Sequence, residues 1–214
     1  MKKIGIFGGT FDPIHVGHLS VAEEFAAAFG LEQVLMMVAA VPPHRERPAA
    51  SPEDRLQMVQ LAVKKYPALT ASDIELVREG PSFTLDTVKE VRKTAEGSLI
   101  WMALGGDAYS LIYSWYRPED VLAQVHLVVL TRPGYPVDLM TPLPESLSER
   151  YTLSGDTYLH DSGASLRTLQ VSPLDVSSSM IRKAVSEGDS IQDLVTVDVL
   201  QYIQQKGLYR LLTV

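Results

Sequence analysis

The sequence predicts an α/β fold built on a parallel β-sheet. Short apolar runs alternate along the chain with longer segments of helical spacing, a pattern typical of parallel strands joined by helices. No linker-like shift in composition divides the 214 residues, and 46% of them are hydrophobic, so one well-packed domain, 1–214, is expected. The predicted strands are 3–7, 33–40, 98–104 and 126–131, and the predicted helices include 19–29, 51–65 and 117–124.

The first strand and helix bracket a glycine turn. Residues 3–7 are short, apolar and bounded by glycine, as in a buried parallel strand, while residues 19–29 repeat apolar side chains at helical spacing until Gly30 ends them. Gly8 and Gly9 lie between. A helix start leaves backbone N–H groups unpaired and carries the positive end of the helix dipole. The sequence therefore predicts a phosphate-binding turn at this junction.

Later helices are predicted from residues that are typical of helix starts and helix ends. Ser51 reads as the N-cap of a helix that has a proline and acidic residues in its first turn, with no functional meaning required. Thr84 is expected to cap a second helix, and 193–205 to form a last one closed by Gly207. Residues 133–163 are rich in Pro, Ser, Gly and Asp, which indicates an irregular connection or a short helix.

The charge and composition exclude several classes of protein. A net charge of −7 argues against a nonspecific nucleic-acid binder, and the lack of cysteine excludes disulfides and thiol chemistry. No apolar run approaches membrane-spanning length and no signal peptide is visible, so we expect a cytoplasmic protein without a membrane partner. The basic groups that could form a local positive site are His15, His18, His44, Arg45 and Arg182.

Two histidines stand at the start of the first helix. His15 and His18 are three residues apart, so both rings can reach one ligand. Imidazole donates hydrogen bonds and gains a proton easily beside a polyphosphate, which suits the charge that develops at phosphorus during nucleotidyl transfer. The alternatives are a structural pair or half of a zinc site, but no cysteine and no suitable third ligand lies nearby.

The segment from Gly8 to His18, GGTFDPIHVGH, resembles the (H/T)xGH signature of the nucleotidyltransferase superfamily, in the version carried by bacterial nicotinate-nucleotide adenylyltransferases. It differs from the GxGxxG fingerprint, so a hydride-transferring dinucleotide enzyme is a poor match. Val176–Arg182 resembles the ISSTxIR motif of the same family, with Val176 in place of Ile and Ser179 in place of Thr. The resemblance implies a Rossmann-like parallel sheet with helices on both faces, of the nucleotidyltransferase (HxGH) type.

The resemblance also implies an ATP site. Arg182 would supply a permanently charged fork for phosphate oxygens, although a serine N-cap with a solvated arginine would explain the same motif. Asp107, after a predicted strand, would accept from ribose hydroxyls, unless it only caps a helix. No acidic cluster suits a magnesium cage, so Mg²⁺ is expected to arrive with ATP. The implied catalytic residues are His15, His18 and Arg182, and the implied ATP-binding residues are Gly8, Gly9, Thr10, Phe11, Gly105, Asp107, Ser178, Ser179 and Ile181.

Three shorter matches concern the acceptor. Pro42-Pro43-His44-Arg45 resembles the family's PPHK, with Arg45 for Lys; Ser82–Thr87 is similar to SYTxDT; and Ser114-Trp115-Tyr116 resembles TW(Y/H). The alternatives are a strand end with a solvated loop for the first match and helix capping for the second. The residues that the resemblance assigns to the acceptor are His44, Arg45, Thr84, Trp115 and Tyr116.

The implied reaction joins the AMP moiety of ATP to nicotinate mononucleotide. It yields nicotinate adenine dinucleotide and pyrophosphate by direct transfer, without a covalent enzyme intermediate. Nicotinamide mononucleotide, phosphopantetheine and the acceptors of CTP-using relatives fit the phosphate motifs equally well. A nucleotide-sensing module that does not catalyse is the alternative of another class. Homo-oligomer formation is left open by the sequence.

Overall fold

The fold is organised around a mixed sheet. A computed structural model describes residues 1–40, 47–78, 82–135, 137–172 and 174–210. Eight strands lie in these ranges, and their order in the sheet is β3-β2-β1-β4-β5-β8-β7-β6. All neighbouring pairs are parallel except the two pairs that β7 forms with β8 and β6. The strands are β1 (Lys3–Gly9), β2 (Gln33–Val38), β3 (Leu69–Ser72), β4 (Leu99–Gly105), β5 (His126–Thr131), β6 (Tyr151–Ser154), β7 (Thr157–His160) and β8 (Ser165–Gln170).

Helices cover both faces of the sheet and form a separate core on each. Phe25 of α1, Met58 of α2 and Ile181 of α7 pack in one core, whereas Val88 of α3 and Val121 of α5 pack in the other. The predicted Rossmann-like architecture is thus confirmed. The helices are α1 (Val16–Phe29), α2 (Pro52–Ala62), α3 (Thr84–Thr94), α4 (Gly106–Tyr109), α5 (Pro118–Leu122), α6 (Glu145–Ser148), α7 (Ser178–Glu187) and α8 (Val197–Lys206), with 3-10 turns at Val63–Lys65 and Ile112–Ser114.

Several predicted boundaries are confirmed by their capping groups. Gly30 ends α1 in the left-handed conformation with φ 59°, and Gly207 ends α8 with φ 63°. The Ser51 side chain accepts a hydrogen bond from the Asp54 backbone N–H at the start of α2. No helix in the described ranges is long and apolar enough to cross a lipid bilayer.

Other predictions about elements are wrong or incomplete. Residues 133–163 contain the expected short helix, α6, but also the strands β6 and β7; β6 leaves nearly all of its side chains exposed, so it lacks the alternating pattern that marks a half-buried strand. The N-cap of α3 is Phe83 instead of Thr84, and the N-cap of α4 is Gly105 instead of Asp107. The last helix begins at Val197, because Thr196 caps it through the Val199 backbone N–H.

The strand order places a cleft at the centre of the sheet. The chain builds outward from β1 to β2 and β3 on one side, and then returns to place β4 on the other side of β1. Ligands of open α/β sheets bind beyond the carboxyl ends of the strands at such a reversal. The two strands end there at Gly9 and Gly105, which lie inside the sequence motifs.

The glycines of β1 give a test of this packing. A Cβ at Gly5 would lie 2.8 Å from a Leu31 side-chain carbon and 2.9 Å from the Phe25 ring, while a Cβ at Gly8 would meet nothing within 4 Å. We expect Gly5→Ala to lower the free energy of unfolding by about 1–3 kcal/mol through overpacking. Gly8→Ala is the matched control and should change it by less than about 0.5 kcal/mol. Urea denaturation checks both, and equal stability of the two variants would contradict the packing argument.

Candidate active site

The carboxyl end of β1 has two glycines with different roles. A Cβ at Gly9 would lie 2.7 Å from the Phe11 ring, which is fully buried although Phe11 has a φ of 50°. Gly9 is therefore required by the packing of Phe11. Gly8 is exposed, and no neighbouring atom fills the space where its side chain would be. Gly8 is thus the position at which a ligand can approach the backbone closely.

The two motif histidines are stacked against each other. The centroids of the His15 and His18 rings are 3.7 Å apart with an interplanar angle of 26°, and the edge of Phe11 supports His18 at 5.1 Å. His15 is the N-cap of α1, and its backbone N–H donates to Nδ1 of His18 at 3.3 Å. Because Nδ1 accepts, the ring proton of neutral His18 belongs on Nε2. His18 therefore offers one N–H donor of fixed direction.

Both imidazoles are neutral in the unliganded protein at pH 7. Burial lowers the pKa of His15 to about 4. Burial and the neighbouring His15 lower the pKa of His18 to about 3. The sequence suggested rings that gain a proton easily. The structure instead gives two neutral donors, whose pKa values would rise when a polyphosphate supplies negative charge.

The start of α1 offers fewer free amides than the sequence predicted. The Val16 backbone N–H donates to the Leu194 carbonyl at 3.0 Å, and the His18 N–H donates to the His15 carbonyl at 3.0 Å. Side chains must therefore supply much of the anion-binding capacity of this junction. The neutral N–H of His18 is the best placed of these donors, because its direction is fixed.

Asp12 anchors the turn from within. The residue is 4% exposed, and its carboxylate accepts hydrogen bonds from the backbone N–H groups of Ala49 at 2.7 Å and Ala50 at 3.0 Å and from the Tyr209 hydroxyl at 2.9 Å. These donors belong to the segment before α2 and to the residues after α8. The carboxylate and burial together raise the pKa of Tyr209, so its hydroxyl keeps its proton. Asp12 lies in the first motif, but its type alone did not indicate this role.

The second motif packs directly on the first. Arg182 donates from Nη1 to the Asp12 carbonyl at 2.8 Å, and the Ser178 hydroxyl donates to the Pro13 carbonyl at 2.8 Å. A Cβ at Gly17 would lie 2.9 Å from a Val176 side-chain carbon, which explains the glycine of the HxGH pattern. The structure thus brings together two motifs that are about 165 residues apart, as the Ser178–Pro13 separation shows.

Of the remaining residues of the second motif, the serines lie at the surface and Ile181 lies in the core. Ser177 caps α7 by accepting from the Met180 backbone N–H, and the Ser177 and Ser179 hydroxyls are 3.0 Å apart. Ile181 is fully buried in the core, and its backbone N–H donates to the Ser177 carbonyl. Ser179 lies near the junction, whereas Ile181 has a packing role here. Contact of either residue with ATP stays a prediction.

Arg55 is a site residue that the sequence reading missed. Its side chain is fully buried, and Nη1 donates to the Thr10 carbonyl at 2.7 Å and to the Ala39 carbonyl at 2.8 Å. Burial lowers its pKa, and the charge of Asp12 opposes that shift. Arg55, Met58 and Ala62 share the buried face of α2, so its helical register was a signal that could have identified it. Arg55 fixes the predicted ATP-binding residue Thr10 relative to the end of β2.

The carboxyl end of β4 forms the opposite wall of the cleft. Gly105 caps α4, and Asp107 is exposed at the second position of that short helix. A Cβ at Gly106 would lie 3.1 Å from a Val137 side-chain carbon. Asp107 is therefore accessible to solvent, and a hydrogen bond to a ribose stays a prediction.

Three predicted acceptor residues lie in neighbouring segments. The rings of Phe83 and Tyr116 are 4.7 Å apart, so the start of α3 meets the segment that contains Trp115. Thr84 is half-buried as the first residue of α3, Trp115 packs partly against the second core, and Tyr116 is 51% exposed. Trp101, by contrast, is a core residue as predicted, stacked between Phe29 and His126. The other predicted acceptor residues, His44 and Arg45, lie outside the described residues.

The comparisons with known proteins agree with this geometry. The cytidylyltransferase-like family profile matches residues 6–184. A protein of Pseudomonas fluorescens named probable nicotinate-nucleotide adenylyltransferase is 38% identical over 98% of each chain. A protein of the same name from Trichlorobacter lovleyi is 39% identical over 97% of this chain and 99% of the relative. The chain belongs to the nicotinate-nucleotide adenylyltransferase family. Its predicted enzyme class, a nucleotidyltransferase, is thereby confirmed.

Solved structures confirm the fold of this nicotinate-nucleotide adenylyltransferase family member. Nicotinic acid mononucleotide adenylyltransferase of Plasmodium falciparum, solved in complex with NaAD, is 18% identical over 98% of each chain with a TM-score of 0.72. A Vibrio parahaemolyticus protein described as a putative nicotinate-nucleotide adenylyltransferase is 20% identical, with a TM-score of 0.65 over 98% of this chain and 96% of that one. The overall fold thus belongs to a known architecture.

The lowered pKa values of the two histidines predict a pH-dependent stability. In the unfolded chain a histidine titrates near 6.5, while folded His18 stays neutral to about pH 3. Below pH 6.5 the unfolded state therefore binds more protons, and stability falls as the pH falls. Between pH 6 and pH 4, we expect the free energy of unfolding of the wild type to fall by about 1.4 kcal/mol more per pH unit than that of the His18→Gln variant. Urea denaturation at pH 7, 6 and 5 measures the difference, and parallel curves for the two proteins would contradict the lowered pKa.

Proposed function

We propose that this chain transfers the adenylyl group of ATP to the phosphate of nicotinate mononucleotide, releasing pyrophosphate and giving nicotinate adenine dinucleotide. One contact at the carboxyl end of β1 carries the proposal. The turn that leads to His15 and His18 accepts hydrogen bonds from Arg182 and Ser178. The names of the full-length relatives support this acceptor over the other nucleotidyl acceptors.

The reaction needs no nucleophile from the protein. A phosphate oxygen of nicotinate mononucleotide attacks the α-phosphorus of ATP, and the bond from that phosphorus to the bridging oxygen of pyrophosphate breaks. The second pKa of a phosphate monoester is about 6, so the attacking phosphate is already largely ionised at neutral pH and needs no general base. Catalysis then consists of positioning the two phosphates and stabilising the charge between them.

The motif residues suit this task as donors. Neutral His18 can donate from Nε2 to an α-phosphate oxygen without the cost of burying a charge before ATP binds. As negative charge moves toward the leaving group, proximity to the triphosphate raises the pKa of both imidazoles and strengthens their hydrogen bonds. Arg182 is partly exposed beside the turn and supplies a permanent positive charge for the β- and γ-phosphates. Exposed Gly8 lets the nucleotide approach the backbone.

Magnesium belongs to the substrate in this proposal. The described residues contain no group of three or more His, Cys, Asp or Glu side chains placed to hold a metal ion. Bound to the triphosphate, Mg²⁺ would neutralise part of its charge.

In this proposal, the predicted acceptor residues recognise nicotinate mononucleotide. An indole face suits an electron-poor pyridinium ring, and Trp115 lies in a polar connection beside the start of α3. Thr84, in the first turn of α3, is placed to donate to the nicotinate carboxylate, which a helix N-terminus also favours. Tyr116 borders the same place, and the sequence assigns His44 and Arg45 to the acceptor phosphate.

Wider properties are proposed on the same basis. We propose that residues 1–214 act as one nucleotidyltransferase domain in the cytoplasm, with nucleotides rather than nucleic acids as partners. The net charge of −7 supports the last point.

Pyrophosphate release tests the function directly. ATP and magnesium are supplied with nicotinate mononucleotide, nicotinamide mononucleotide or phosphopantetheine in parallel reactions. Turnover with nicotinate mononucleotide supports the proposal. Preference for another acceptor would keep the phosphate chemistry and remove the assignments of Thr84 and Trp115. No turnover with any acceptor would favour a nucleotide sensor.

The role of His18 predicts a large effect on turnover. We expect His18→Ala to lower kcat by about 10²- to 10³-fold, the cost of one lost transition-state donor, with a change of less than about threefold in the KM for ATP. Ser20→Ala on the same helix is the control, since the Ser20 hydroxyl bonds only to Glu24 in the described structure. Near-normal kcat in His18→Ala would remove His18 from the mechanism.

The role of Trp115 predicts an effect on one substrate. Trp115→Ala should raise the KM for nicotinate mononucleotide by roughly tenfold, because a stacking partner worth about 1–2 kcal/mol is lost, and leave the KM for ATP unchanged. Tyr113→Ala, two residues away and exposed, is the matched control. Steady-state kinetics with each substrate varied in turn make the comparison, and an equal loss for ATP would contradict the stacking role.

A further inference from the structure

We propose that Glu75 is a positioning residue of the acceptor site, holding the start of α3 against the segment that follows β3 and so controlling the affinity for nicotinate mononucleotide without touching it. The inference rests on the proposed function. Glu75 lies three residues after β3, outside every motif that the sequence analysis singled out.

Glu75 is bonded to the helix that begins with Thr84. The Thr87 hydroxyl, on a side chain of a residue only 2% exposed, donates to Oε1 of Glu75 at 2.9 Å. The same hydroxyl accepts from Nη1 of Arg78 at 3.3 Å, which completes its hydrogen bonding. The Ser82 hydroxyl donates to the Glu75 carbonyl at 3.3 Å. The residues just before α3 and the first turn of α3 are therefore both fastened to residue 75.

The bond from Thr87 is directed away from its own helix. A threonine inside a helix can donate to the carbonyl four residues earlier, here that of Phe83, which lies 3.4 Å from the hydroxyl. The bond to Glu75 is shorter by 0.5 Å, as the distances of 3.4 Å and 2.9 Å show. Because Phe83 is the N-cap of α3 and contacts Tyr116, this bond fixes the place where the predicted acceptor segments meet.

Glu75 is half-buried, and its carboxylate is held by a neighbour rather than by solvent alone. Burial raises its pKa, while the Thr87 hydroxyl and the charge of Arg78 lower it. A half-buried carboxylate bonded to a buried hydroxyl fixes geometry more sharply than apolar packing would.

The first test is Glu75→Gln. The amide keeps the size and can accept from Thr87, but that bond is no longer assisted by charge, and the amide carries no charge toward Arg78. We expect the KM for nicotinate mononucleotide to rise roughly tenfold, the effect of replacing a charged hydrogen-bond acceptor by a neutral one, and the KM for ATP to stay within about twofold. Glu90→Gln on α3, where Glu90 pairs only with Lys93 among the described residues, is the matched control.

A second pair of variants separates positioning from stability. Thr87→Val removes the hydroxyl at nearly constant size and should raise the KM for nicotinate mononucleotide as much as Glu75→Gln does. Thr87→Ser restores the hydroxyl and should return this KM to within about threefold of the wild type. Equal rises in both KM values, no rise in either, or failure of serine to rescue would each overturn the role of Glu75. If the wild type itself releases no pyrophosphate with nicotinate mononucleotide, the proposed function fails first and this inference fails with it.

Discussion

The geometry of the site depends on the buried carboxylate of Asp12. It takes up two backbone N–H groups and one phenol hydroxyl at 2.7–3.0 Å, so its charge is solvated by the protein in place of water. The side chain thereby orients its own backbone, and the carbonyls of Asp12 and Pro13 then receive Arg182 and Ser178. His15, three residues further along, begins α1 in a position that these bonds define.

The charges around the turn are arranged so that the unliganded site carries little uncompensated charge. Fully buried Arg55 is oriented by two carbonyls and its charge is favoured by that of Asp12, while the two imidazoles at the start of α1 stay neutral. A buried pair of opposite charges contributes little net stability, but removing one partner is costly, so such pairs fix conformation. Neutral imidazoles avoid mutual repulsion at a ring separation of 3.7 Å until a polyphosphate supplies the negative charge that stabilises protonation.

The sequence predicted the parts of this design that have short-range signals. The helix start at the HxGH pattern, the helix stop at Gly30 and the serine-rich start of α7 lie where expected. The predicted glycine turn is different, because Gly8 and Gly9 are the last two residues of β1. Arg55 and Glu75 were missed because each acts on carbonyl or hydroxyl groups distant in sequence, and such pairing leaves no local pattern. The hairpin of β6 and β7 was missed for a different reason, since an edge pair with exposed side chains lacks the alternation by which strands are recognised.

Asp12 also holds the residues that follow the predicted acceptor motif Pro42–Arg45. The backbone N–H groups of Ala49 and Ala50 donate to its buried carboxylate, so this part of the chain is held through its backbone. A backbone anchor does not depend on the side chains that precede it. Replacement of the family's lysine by Arg45 therefore alters the shape of a charged group without altering this anchor.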